Sequence, residues 1–166
     1  MKPMQILLAI CFTSTISLAQ QPLHSDTVLT VSGEVATPLQ LTMAAIQKLP
    51  HRVVHAVDYD NHEYIFEGVD IYRILALAGI HFIDTLKGKV FASSVLVVRA
   101  TDGYQAVFTL AELDPINSER PIILAFRHDG MPLSSKDGLL RIISPNEKRH
   151  IRWVRQVQSL IVQHIN

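Results

Sequence analysis

The chain has a single cysteine, Cys11, and it lies in the first apolar stretch. Beyond that stretch no thiol is left for a disulfide, a thiolate metal ligand or a sulfur nucleophile. Charge of one sign is lacking too. Fifteen lysines and arginines balance fifteen aspartates and glutamates across 166 residues, so no overall positive field steers phosphates, and no nucleic-acid partner is expected. No glycine-rich phosphate loop follows a strand-like segment, which argues against the common nucleotide-dependent enzymes. The eight histidines are scattered without an HExxH pattern. Ser134, Ser135 and Lys136 do not form S-x-x-K, and no serine sits in a nucleophile elbow. Hydrolase and kinase chemistry therefore fall away, and no catalytic residue or metal ligand is assigned.

Residues 1–19 carry Lys2, an apolar core from Ile6 to Leu18, and small Ser17 and Ala19 at a cleavage position. That pattern predicts a secretory signal peptide cut after Ala19, and hence a periplasmic protein. An uncleaved anchor is the competing reading, but the run is short for a bilayer and contains Thr13, Ser14 and Thr15. Residues 20–166 suit one domain with a proper core, since 48% of the chain is apolar. No repeat, low-complexity tract or linker interrupts them.

β-branched alternation predicts a first strand over Thr27–Val35 and a short extended piece at Leu39–Leu41. Thr42 is placed to cap a helix with Ala45, Ile46 and Leu49 on one face, ended by Pro50. Arg52–Val57 and Glu63–Glu67 read as a hairpin closed by Gly68. Asp70 is placed to cap a helix bearing Ile71, Ile74, Leu75 and Ala78, with Gly79 at its end. Lys87–Lys89 reads as a turn. Val95–Ala100 and Tyr104–Leu110 form a second hairpin around Asp102-Gly103, and Pro121–Phe126 is a buried strand before the turn Asp129-Gly130. In the last stretch, Val154, Val157, Leu160 and Ile161 fit helical spacing, whereas the β-branched content fits a strand. The sum is α+β, mostly β.

The most distinctive stretch runs from Arg141 to Trp153, the only tryptophan. Ile142 and Ile143 lead into a Ser-Pro-Asn turn, and Lys148, Arg149, His150 and Arg152 follow. Arginine offers a rigid fork of donors, and tryptophan a large stacking face, a combination suited to a planar ligand. A solvated basic face before a terminal strand is the plainer alternative. The turn Asp58, Asp60, His62 is the best oxygen-rich candidate for a metal, although Asp- and Asn-rich hairpin turns usually need no metal to explain them.

An ordered series of pieces resembles the molybdopterin-binding domain of the sulfite oxidase family. It comprises Asp102-Gly103-Tyr104, ILAF at Ile123–Phe126, Asp129-Gly130-Met131-Pro132-Leu133, Gly138, RIISP at Arg141–Pro145 and RHIRW at Arg149–Trp153. Upstream, FEGVDIYRILALAGI is similar to that family's segment of a glycine, a short helix and a second glycine, so the likeness covers nearly all of residues 20–166. It implies a mostly β fold with a final strand. In that family a cysteine thiolate from a loop near the region here reading HAVDYDNHEY ligates molybdenum, and this chain has no cysteine there. The family's histidine before glycine is replaced by Asp137, which would repel a phosphate but accept well from a pterin's amino and ring NH groups.

Short secreted members of the fold that lack the cysteine resemble periplasmic pterin-binding proteins, some of which act as sensors for a membrane-bound enzyme of cyclic di-GMP metabolism. The resemblance thus implies a non-catalytic module that binds a pterin through Tyr104, Asp137, Arg141, Arg149, His150, Arg152 and Trp153, with the molybdenum cofactor a lesser expectation. Arg141 is equally readable as structural, and Tyr104 and Trp153 as core. The alternatives are a molybdenum oxidoreductase, or a subunit of one, with a ligand other than cysteine, and a remnant of the fold that binds protein. The basic lip carries its own expectation: if Arg149 and Arg152 position the ligand, replacing both with alanine weakens binding by a few kcal/mol and leaves the fold intact.

Overall fold

In the computed structural model, which describes residues 26–82 and 91–165, the predicted alternation resolves into two sheets. The signal-peptide stretch 1–19 and the Lys87–Lys89 turn lie outside the described residues. Strands β1 (Thr27–Gly33), β2 (Leu39–Thr42), β5 (Ser94–Ala100), β6 (Gln105–Thr109) and β10 (Val157–His164) form the first sheet, in the order β2-β1-β10-β5-β6. Strands β3 (His51–Val57), β4 (Glu63–Asp70), β7 (Ile123–His128) and β8 (Met131–Pro132) form the second in that order, with β9 (Arg141–Ile143) also paired to β7. Short helices among the described residues join them: α1 (Met43–Ile46), α2 (Ile71–Leu77) and α3 (Leu110–Leu113). The fold is α+β and mostly β, as the sequence implied. None of the described helices is long and apolar enough to cross a membrane.

A core fills the space between the sheets. Leu29 and Val31 of β1, Leu160 and Val162 of β10, Leu96 and Val98 of β5 and Phe108 of β6 meet Val69, Leu124, Phe126 and Ile142 of the second sheet, with Ile74 and Leu75 of α2 alongside. A smaller cluster covers the opposite face of the second sheet: Val54, Ala56, Phe66, Ile123, Ala125, Ile143 and Trp153. Strand β7 is therefore buried on both faces, which explains its unbroken apolar run. The second cluster is also the floor of the site described below.

Several local expectations change. Gly68 does not close the hairpin, because β4 runs on to Asp70. A Cβ there would come to 2.3 Å from the Leu124 carbonyl oxygen and 2.6 Å from Ala125 Cα, so glycine is what lets β4 and β7 approach. Asp70 precedes α2 but makes no side-chain cap. Its carboxylate takes Arg52 Nε at 2.5 Å and lies 3.4 Å from Arg73 Nε. The β7–β8 connection is a two-residue turn with Asp129 at φ 48° and Gly130 at φ 74°, the left-handed pair that such hairpins favour. The ambiguous last stretch is a strand. It lies between β1, which it meets in parallel, and β5, which it meets antiparallel. A register shift against β5 between Val157 and Ser159 turns Val157 to the same core as Leu160 and Val162.

Gly68→Ala should lower stability by on the order of 2 kcal/mol, as overpacking does, measured by urea unfolding. Gly103→Asn, at a turn glycine with φ 87° and nothing within 4 Å of an added Cβ, is the control and should change it little.

Candidate functional site

Arg141 is the last residue expected to tolerate burial, yet it is only 1% exposed. The burial is compensated from two directions. Asp58, in the β3–β4 turn, receives both terminal nitrogens, Nη1 to Oδ2 at 2.6 Å and Nη2 to Oδ1 at 2.7 Å. Asp137 Oδ1 lies 3.2 Å from Nη1. The Phe66 and Trp153 rings flank the guanidinium at 5.7 and 5.4 Å. A bidentate, ring-flanked pair is the geometry in which a buried charge is best stabilised. Burial pushes the Asp58 carboxyl up, but the Arg141 hydrogen bonds, the Tyr59 amide and the charges of Arg141 and Arg155 outweigh it and hold its pKa below the ordinary aspartate value.

Asp137 is fixed just as tightly. Ser134 Oγ donates to its Oδ2 at 2.6 Å, and its carbonyl accepts from the Gln156 amide at 2.7 Å. Gly138, at φ 77°, lets the chain turn against Gln156, where a Cβ would meet Gln156 Cα at 2.9 Å. The other oxygen, Oδ1, lies 2.9 Å from Arg155 Nε, an ionic contact without hydrogen-bond alignment.

These groups line a cavity of about 320 Å³, with Tyr59, Tyr64, Phe66 and His128 among its walls. Four buried side-chain polar atoms among the described residues have no hydrogen-bond partner: His128 Nδ1, Asp137 Oδ1, Arg141 Nε and Arg155 Nε. All four residues line this one cavity. Each such atom costs roughly 1–3 kcal/mol if it lacks a partner, and the Asp137 Oδ1 and Arg155 Nε atoms offset part of that cost through their ionic contact.

A second cavity of about 410 Å³ adjoins it, sharing Tyr59, Lys136 and Arg155 and walled further by Tyr104, His150 and Trp153. A 3-10 turn over His150–Arg152 forms its rim. The Tyr59 hydroxyl donates to the His150 carbonyl and the Tyr104 hydroxyl to the Ile151 carbonyl, both at 2.5 Å. The Tyr59 ring lies 5.3 Å from the Arg155 guanidinium. Burial raises the pKa of the Tyr59 hydroxyl, against the opposing charges of Arg155 and Arg141.

The structure brings five of the seven sequence-predicted residues to these adjoining cavities: Asp137 and Arg141 to the first, Tyr104, His150 and Trp153 to the second. Trp153 is 3% exposed. It packs edge-on to Phe66, and its Nε1 donates to the Ser144 carbonyl at 3.0 Å, so it borders the cavity from within the core rather than as an open platform. Arg149 is exposed and lines neither cavity.

Arg152 turns the other way. Its guanidinium spans Glu112, at 3.0 and 3.2 Å, and Glu147, at 2.8 Å from Nε, and donates to the Val107 carbonyl at 3.1 Å, above the Phe108 ring. Burial lowers its pKa, and the bonds to both glutamates more than reverse that. Glu112 also closes the capping box of α3 with Thr109, so replacing Arg152 removes a structural brace, contrary to the expectation that the fold would be indifferent. A larger cavity, about 1090 Å³, lies on that side of the molecule and is lined by none of His128, Asp137, Arg141 and Arg155.

Sequence reasoning missed Tyr59, Arg155, Lys136, His128 and Ser134. Tyr59 carried a signal, an aromatic residue at the tip of an otherwise polar turn, and Arg155 continued the spacing of Arg149 and Arg152. The turn weighed as a metal site is otherwise engaged. Asp58 is held by Arg141, while Asp60 accepts from the Tyr64 hydroxyl at 2.7 Å and the His62 amide at 3.0 Å. No group of three His, Cys, Asp or Glu side chains among the described residues is placed to hold a metal ion. The donor set thus does not fit molybdenum: the loop that would supply a thiolate presents a carboxylate whose two oxygens are already bonded.

Asp58→Ala should cost about 3 kcal/mol, the lower end for breaking a buried pair, because Asp137 keeps one contact to Arg141. Since the folded-state pKa of Asp58 is depressed, its contribution is complete above the ordinary value of 3.8 and is lost as pH falls through the depressed one. Thermal unfolding between pH 2 and pH 6 should show Asp58→Asn less stable than the parent at pH 6, with the gap closing towards pH 2.

No family model matches the chain, and no curated protein matches it. Among solved structures it is similar to the sulfane dehydrogenase SoxCD from Paracoccus pantotrophus, with a TM-score of 0.65 and 18% identity over 83% of this chain. The match takes in 38% of the SoxCD chain, so this chain spans well under half of that protein's length. At this identity the likeness shows a shared fold and nothing finer, in keeping with the mostly β architecture that the resemblance implied.

Proposed function

We propose that this chain is a periplasmic, non-catalytic module that binds an unphosphorylated pterin. The observation that carries the reading is one cavity lined by His128, Asp137, Arg141 and Arg155, each of which has a buried side-chain polar atom without a hydrogen-bond partner. Asp137 Oδ1 accepts from the ring NH and amino group of the guest, while the arginine Nε groups donate to its carbonyl and ring nitrogens. Tyr59 and Phe66 supply apolar faces. The cavity offers three carboxylates, Asp58, Asp60 and Asp137, against Lys136, Arg141 and Arg155. Near neutrality favours a neutral ring over a phosphorylated one.

The likeness to a dehydrogenase chain supports one competing reading, an oxidoreductase or subunit of one carrying the molybdenum cofactor. Against it stand the missing thiolate and the engaged Asp58. As for a partner, the resemblance to secreted pterin sensors supports a membrane-bound signalling enzyme of cyclic di-GMP metabolism, to which occupancy of the site is reported.

The deciding experiment is to purify the protein from its native periplasm, denature it, and identify the released small molecules by absorbance, fluorescence and mass, with metal analysis alongside. A fluorescent pterin without molybdenum is the expected result; stoichiometric molybdenum with a phosphorylated pyranopterin would restore the oxidoreductase. In titrations of free pterin, Asp137→Asn should bind about 10- to 100-fold more weakly, as loss of a charge-assisted hydrogen bond implies. Pull-down from membranes with and without pterin checks the partner, whose retention should depend on occupancy.

A further inference from the structure

The two adjoining cavities share Tyr59, Lys136 and Arg155 but differ in chemistry. The first is lined by all four residues that, among the described ones, carry a buried side-chain polar atom without a hydrogen-bond partner, and its chemistry suits a heterocycle edge. Of those four residues the second is lined by Arg155 alone. Its walls are four rings, those of Tyr59, Tyr104, His150 and Trp153, together with Ile151, and its charged groups beyond the two shared cations reduce to Asp102. The Asp102 carboxylate is engaged by the Tyr104 amide at 2.9 Å. These rings are held in place rather than loose. Tyr59 and Tyr104 are tethered by their hydroxyls to consecutive carbonyls of the rim turn, and the His150 ring lies 4.7 Å from Tyr59 and 4.2 Å from Trp153, edge to face in both cases. Preformed ring walls suit an aromatic guest, which gains edge contacts with four fixed rings.

From this we infer that the cavities are two compartments of one site with Tyr59 as their common wall, and that the ligand is a two-part molecule. A flat polar heterocycle occupies the Asp137–Arg141 compartment, and a short linker carries a second, aromatic group past Tyr59 into the Tyr104–His150–Trp153 compartment. The inference rests on the pterin reading and adds to it the class of substituent the ring bears. Tyr104 becomes the residue that discriminates between substituents, because it lines only the second compartment.

The test compares two probes by calorimetry on the protein stripped of bound small molecules and refolded: 6-methylpterin, a bare ring, and pteroic acid, in which a methylene-amino linker joins the same ring to a benzoate. The aryl probe should bind about tenfold more tightly to the parent protein, in line with the value of an added ring contact. In Tyr104→Ala that ratio should fall towards one, and in Tyr104→Phe, which keeps the ring and loses only the tether, it should persist. Pterin-6-carboxylate, anionic and compact, separates ring from charge: if it matches pteroic acid, the gain comes from Lys136 and the aromatic compartment is overturned. Equal affinity for ring and aryl probe overturns the inference and leaves the single-ring reading standing. A high ratio that survives Tyr104→Ala overturns the placement. Binding of neither probe overturns the pterin reading and this inference together.

Discussion

A guanidinium buried to 1% exposure must be matched in charge and hydrogen bonding by the fold around it, and at Arg141 that demand organises the molecule. Asp58 answers it from 83 residues away, docking the β3–β4 turn against β9. Asp137 answers from the loop just before β9, which Ser134, Gly138 and Gln156 fix in turn. Phe66 and Trp153 close around the charge. None of these elements would hold its position for local reasons alone. The geometry of the cavity follows from satisfying Arg141, and Arg141 Nε is the one nitrogen of the guanidinium left without a hydrogen-bond partner.

The scaffold makes such a demanding arrangement affordable by keeping it off the main core. Leucine and valine from both sheets meet on one face of the second sheet, while the ionic cluster and its flanking rings sit on the other. Strand β7 divides the two, contributing Leu124 and Phe126 to one side and Ile123 and Ala125 to the other. The parallel pairing of β1 with β10 joins the two ends of the described chain within the first sheet. The rim turn is therefore carried between two anchored strands, β9 and β10, and only its clasp by two tyrosine hydroxyls is left to the site itself.

Fold and site point in different directions here, and the physical chemistry of the site has priority. The shared architecture with a dehydrogenase chain says how the backbone runs. Activity of a thiolate-ligated metal centre needs a soft anionic sulfur at one position, and that loop instead delivers Asp58 into an ion pair. The cavity is close to charge balance, with ring walls alongside. General acid–base chemistry needs a titratable group poised against a reacting atom; Asp58 and Asp137 are engaged by arginines, and Asp60 by the Tyr64 hydroxyl and the His62 amide.

Local rules within the sequence determined the strands, the two Asp-Gly turns, the Thr42 cap of α1 and the α+β class, because each depends on neighbours a few residues away. Composition also determined that no thiolate is available beyond Cys11. The final strand was illegible for a definite reason: the bulge after Val157 sets Val157 and Leu160 facing the same core three residues apart, the spacing a helix would use. Gly68 read as a turn because its role, the contact of β4 with Leu124, is 56 residues distant. The division among the basic residues was beyond sequence for the same cause. Arg141, Arg149, Arg152 and Arg155 are alike in chemistry, and only tertiary structure decides which meets Asp58, which meets Glu112 and Glu147, and which borders a cavity. An ion pair is set by the geometry of both partners, and chain separation hides one of them.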